Sequence, residues 1–155
     1  MNQQNTNEQI KTIATNRKAR HEYHVLESVE TGIVLVGTEV KSIRAGKVSF
    51  QDAYAAVESG ELWLHSLHIS PFEKGNVFNH DPVRKRKLLA SKREIKKLHD
   101  KTAIRGYTLI PLVLYFKGRY LKVELGVCKG KKFYDKRETV KQRDIDREMK
   151  RNIKI

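Results

Sequence analysis

The apolar runs of this chain are short, and several stop at a turn-forming pair. Ile33-Val34-Leu35-Val36 sits between Gly32 and Gly37, too short for a helix. Ala53–Glu58 and Glu61–Ile69 flank Ser59-Gly60, a two-residue hairpin signal. Tyr107–Phe116 and Arg119–Val127 flank Lys117-Gly118 in the same way. Glu22 to Ser28 is short, β-branched and aromatic, and with the run at 33–36 it reads as a further hairpin turning near Glu30–Gly32. Both faces of Glu61–Ile69 are partly apolar, as in a strand that lies inside a barrel or under a helix. No single piece of this kind buries a core. About six such strands with tight turns predict a mainly β fold with short helices, an OB-like small β-barrel; strand count leaves a β-sandwich open as the alternative.

Helical signals are few. Val40, Ile43 and Ala45 suit one face of a short helix, with Thr38 as its N-cap and Gly46 as its terminator. Ser91 and Glu94 form a capping box ahead of Ile95 and Leu98, and Gly106 closes that helix. Ser70 to Asp81, with Pro71, Gly75 and Asn79, reads as a loop. The chain therefore divides into a polar, disordered lead-in over 1–12, a barrel over 13–134 and a basic tail over 135–155. In the tail Ile145, Met149 and Ile153 recur every four residues behind an Asp135/Glu138 capping pattern. So thin an apolar stripe does not hold a helix in water, so the tail is expected to stay disordered until it meets an anionic groove and folds there.

Charge points to the partner. The 155 residues carry 32 Lys and Arg against 18 Asp and Glu, a net charge of +14. Residues 84–101 hold nine basic and two acidic side chains, and residues 126–155 hold eleven and five. The rest of the chain is nearly neutral, so two segments are built to meet a polyanion. The run Arg84-Lys85-Arg86-Lys87 is expected to need phosphate screening. Gly130 lets backbone approach a phosphate flanked by Lys131 and Lys132, while Phe133 and Tyr134 offer either base-stacking faces or a barrel-closing strand. Asn16 to Tyr23 adds a third cationic patch.

Other classes are disfavoured. The lone Cys128 excludes an internal disulfide and a cysteine zinc cage, and suits a buried thiol in a reducing cytoplasm. No apolar run reaches the ~18–20 residues of a membrane span, so no membrane partner is expected, nor DNA. His21/His24 and His65/His68 are each three positions apart, which on a strand turns the rings to opposite faces. No metal, cofactor or enzymatic activity is expected. A nuclease using His21 with a carboxylate, and a protein bound permanently to ribosomal RNA, remain as alternatives.

Asn16–Tyr23, Gly32–Gly46 (GIVLVGTEVKSIRAG), Asp81–Leu89 (DPVRKRKLL) and Gly130–Arg137 (GKKFYDKR), in that order, resemble the SsrA-binding protein family, also called small protein B. The resemblance implies an OB-fold barrel whose C-terminal tail is unstructured in solution. It implies binding to the tRNA-like domain of transfer-messenger RNA and delivery to stalled ribosomes, where translation resumes on a tag-encoding frame. The family's RNA-contacting surface falls on Glu30, Leu89 and Lys122, with Gly32, Lys18 and His21 beside it. Its element required on the ribosome falls on Asp135, Lys136 and Arg137. Its tail helix, here 138–155 and including Ile145 and Met149, occupies the empty mRNA channel beyond the decoding site.

Overall fold

Strand pairing closes on itself. The computed structural model describes residues 9–73 and 79–131. Within them the chain forms β1 (Ile10–Thr15), α1 (Arg17–Glu22), β2 (Tyr23–Ile33), α2 (Gly37–Arg44), β3 (Val48–Ser49), β4 (Tyr54–Glu58) and β5 (Glu61–His65). There follow β6 (His68–Ile69), β7 (Arg86–Leu89), α3 (Lys92–Thr102), β8 (Tyr107–Lys117) and β9 (Tyr120–Gly130). Pairing runs β1-β8-β4-β5-β7-β2-β9, all antiparallel, and β9 also pairs with β8. That last contact turns an open sheet into a barrel and excludes the sandwich. β1 hangs on the outside edge of β8, and β3 and β6 pair with each other alone.

Alternation along the strands builds the core. Leu62, Leu64, Leu88, Leu109, Leu114, Val123, Leu125 and Val127 all point inward and are buried. Each such side chain contributes roughly 2 kcal/mol relative to exposure. Ile43 from α2 and Leu98 from α3 join the same core. The Ser59-Gly60 turn forms as its letters predict, both residues at positive φ (51° and 77°), which matches the right-handed twist of β4 and β5. Ser91 and Glu94 make the expected capping box on α3. No described helix is long and apolar enough to cross a membrane.

Four expectations change. No turn occurs at Glu30–Gly32: β2 runs straight through, paired with β9 from Tyr23↔Gly130 to Gly32↔Lys122. Thr31 is buried there and its hydroxyl donates to the Val123 carbonyl at 3.0 Å, an interaction that needs extended backbone. The strand expected over Glu61–Ile69 breaks at Ser66, which takes φ 62°, and β6 leaves for β3. The expected lead-in ends earlier, because residues 10–12 already pair with Tyr115–Lys117. Thr38 does not cap α2; its hydroxyl faces His80 Nδ1 at 2.8 Å. His80 Nε2 donates to the Ile69 carbonyl, so Nδ1 is the acceptor and Thr38 the donor.

Candidate nucleic-acid interface

Beyond the bulge between Val25 and Glu27, side chains of even number on β2 point out of the barrel, as do those of even number on β9. Register therefore places Leu89 of β7 opposite Gly32 of β2, Gly32 opposite Lys122 of β9, and Lys122 opposite Tyr115 of β8. This is one row across four strands. A Cβ on Gly32 would stand 3.2 Å from Leu89 Cβ, so the missing side chain lets Leu89 lie across β2. Leu89 is still half exposed, an apolar surface between Gly32 and solvent. Glu30 lies one step along, opposite Glu124.

The Glu30 carboxylate is held in place. The Tyr115 hydroxyl donates to Oε2 at 2.5 Å, and Lys117 Nζ reaches Oε1 at 3.4 Å. The Tyr115 hydrogen bond, helped by the charges of Lys117 and Lys122 and opposed by partial burial, keeps this carboxyl below the usual range. Burial and the facing carboxylate push the Tyr115 phenol up, so the tyrosine remains a donor. Tyr115→Phe should let the Glu30 carboxyl rise toward its ordinary value while costing only about 1 kcal/mol of stability. An NMR titration of the Glu30 side chain, beside a urea melt, checks both.

Lys18 and His21 lie elsewhere. They project from α1, whose C-cap is Tyr23, the residue opposite Gly130. Nine residues of β2 separate that end from Gly32, roughly 25–30 Å along the strand. Lys131 follows Gly130 directly, so Lys18, His21 and Lys131 share the α1 end of the β2–β9 ladder. α1 is fixed there by Asn16, which accepts from the Ala19 N–H (3.2 Å) and donates to the Pro111 carbonyl (2.9 Å). Ala19 packs on Ile110, Leu112 and Cys128 outside the main core. Burial pushes the Cys128 thiol up to about 11, as in an inert packing residue. Lys132, Phe133, Tyr134, Asp135, Lys136, Arg137, Ile145 and Met149 lie outside the described residues.

The run Arg84–Lys87 does not stand waiting for phosphate. Glu39 of α2 is fully buried and accepts from Arg84 Nη2 (2.6 Å), Arg84 Nε (3.0 Å), Arg86 Nε (2.5 Å) and the Val36 N–H (2.9 Å). Arg86 is itself fully buried, and its remaining N–H groups donate to the Leu67 and Pro82 carbonyls. Lys85 reaches Glu58 at 2.7 Å with its ammonium 4.4 Å from the Trp63 ring centre, and Lys87 reaches Glu61 at 3.1 Å. Distant carboxylates thus do the screening assigned above to a nucleic acid. The expectation for these four residues is corrected.

A family model described as SmpB protein matches residues 13–155. The chain belongs to the SmpB family. The SsrA-binding protein of Carboxydothermus hydrogenoformans is 59% identical over 144 residues, covering 93% of this chain and 97% of its own length. That of Caldicellulosiruptor bescii is 53% identical over 154 residues, covering 99% and 98%. A solved structure described as "tmRNA-SmpB: a journey to the center of the bacterial ribosome" is similar at a TM-score of 0.66 and 54% identity, covering 76% of this chain and 83% of that one.

In this SmpB-family chain the fold brings Glu30, Gly32, Leu89 and Lys122 together and leaves Lys18 and His21 apart from them. The sequence reading missed Tyr115 and Lys117, which fix Glu30 from 85 and 87 residues away. Their only signal is register: once β8 and β9 pair around Gly118, Tyr115 must face Lys122.

Proposed function

We propose that this chain binds the tRNA-like domain of transfer-messenger RNA through the Leu89–Gly32–Lys122 row and carries that RNA to stalled ribosomes. The observation that carries this reading is the row itself, an exposed apolar residue seated over a glycine and a cation beside them, aligned across β7, β2 and β9. Lys122 supplies charge for a phosphate, while Leu89, lying over Gly32, offers an apolar face to a ribose or base at van der Waals distance. Glu30 repels phosphate, so its fixed carboxylate is suited to accept from a 2′-hydroxyl or a base amino group. Such a group discriminates among RNA shapes, where a lysine only attracts. Relatives called SsrA-binding proteins, over nearly their whole length, support the same choice of RNA.

On the ribosome, Asp135, Lys136 and Arg137 are assigned to the decoding site, and Ile145 and Met149 to the face of a helix that forms in the mRNA channel. Lys131 and Lys132, at the root of that segment, contact phosphate alongside Lys18 and His21.

Lys122→Glu tests the barrel's part. Its affinity for a transcript of the tRNA-like domain should drop at least about tenfold, near 1.4 kcal/mol. Wild-type affinity should decline steeply between ~50 and ~200 mM salt. Filter binding or calorimetry across that range decides it, and unchanged affinity for Lys122→Glu would move the interface off this row.

A further inference from the structure

The second half of the first basic segment behaves unlike the first. Lys92 and Lys96 of α3 have no ion-pair partner among the described residues, whereas Arg84 to Lys87 are all engaged. Lys92, Lys96 and His99 recur at i, i+4 and i+7, so they form one stripe along the helix. That stripe walls a groove against β4 and the Ser59-Gly60 turn. The groove consists of cavities of about 340 and 380 Å³ that share Val57 and His99. Its second cavity lies where β4 and β8 are joined only at Ala55↔Leu109.

Val57 and Ile95 give the groove an apolar floor, Lys92 and Lys96 a cationic rim, and no carboxylate lines either cavity. At its far end Tyr54 is stacked on His65, ring centres 5.0 Å apart and 16° from parallel, and is 43% exposed. The near end begins at Lys92, three positions along the chain from Leu89 of the proposed binding row.

We propose that this groove holds an unpaired stretch of the bound RNA, with its phosphates on Lys92 and Lys96 and a base extending the Tyr54–His65 stack. An A-form duplex keeps its bases inside and cannot use an apolar floor, whereas splayed nucleotides can. The inference rests on the RNA-binding reading above and names a second point of contact for the same ligand.

Arg93 and Lys97 lie on the same helix, outside the cavity lining, and provide a charge-matched control. The full chain is titrated with a transfer-messenger RNA transcript over a salt series, as wild type, as Lys92→Ala/Lys96→Ala and as Arg93→Ala/Lys97→Ala. The groove variant should lose about 1.4 from the slope of log affinity against log salt, as two single-strand phosphate contacts require, and the control almost nothing. Tyr54→Ala should weaken binding severalfold and abolish cross-linking at residue 54 to 4-thiouridine-substituted transcript, while Tyr54→Phe retains affinity. Equal losses in the two lysine and arginine pairs, or no cross-link at Tyr54, overturn the groove and leave the Lys122 result standing. Reduced ribosome association at unchanged RNA affinity overturns it too, by assigning the stripe to a ribosomal partner. Absence of RNA binding by the wild type at low salt removes the parent reading instead.

Discussion

Glu39→Ala will destabilise the barrel by about 3–5 kcal/mol, the loss typical when one partner of a buried ion pair is removed. Among the described residues the carboxylate it deletes is the acceptor for Arg86 Nε and the main one for Arg84, and Arg86 is fully buried. Without it a guanidinium remains in the interior with backbone carbonyls as its only acceptors. A domain of this size has about 5–15 kcal/mol to lose, so the variant should melt far earlier in urea or on heating. Lys87→Ala, which removes an exposed pair from the same run, should cost no more than about 1 kcal/mol. Equal effects from the two would show that the buried cluster is not what holds α2 to β7.

Acidity gives the same result a second signature. Burial pushes the Glu39 carboxyl up, but hydrogen bonds from Arg84, the Val36 N–H and Arg86 outweigh it and leave the group below its ordinary value. A carboxyl lowered by folding stabilises fully above the ordinary range, near about pH 4, and its contribution disappears as pH falls through the lowered value. The gap in unfolding free energy between wild type and Glu39→Ala should therefore be widest at neutral pH and narrow in acid. A gap that widened in acid would reverse the sign assigned to Glu39.

Deletion from Lys136 onward should leave affinity for the tRNA-like domain within about twofold of wild type and abolish peptide tagging on stalled ribosomes. The proposed binding row lies wholly within β7, β2 and β9, ahead of the deleted segment. The tail, with eight basic and five acidic side chains over 135–155, gains from a channel walled by phosphate and has little apolar surface to fold on by itself. Binding measured beside a reconstituted tagging reaction separates the two functions. A truncated chain that tags normally would end the proposed division of labour.

Local signals were legible where local physics decides. Ser59-Gly60, the Ser91/Glu94 box and the strands around Gly118 all read correctly, because turns and caps depend on neighbours in sequence. Gly32 misled for the same reason: a glycine beside Thr31 resembles a turn, yet its purpose is to admit Leu89 from another strand. The short helix α1 shows in the sequence only as a cationic patch, since its hold comes from Ile110, Leu112 and Cys128 far along the chain. Counting cations found the basic segment but could not tell which would be neutralised. Glu39, Glu58 and Glu61 lie 26 or more positions upstream of the cations they pair with, and only folding brings them to Arg84–Lys87. The candidate row came from family resemblance, and register then supplied the reason its members belong together.

Ala55↔Leu109 is the single rung between β4 and β8, whereas the other neighbours round the barrel share two or more. Breathing of the native state will begin along that seam, with amides of β4 exchanging with solvent sooner than those of β9. α3 then acts as the latch of the barrel, and any ligand seated between it and β4 slows the opening.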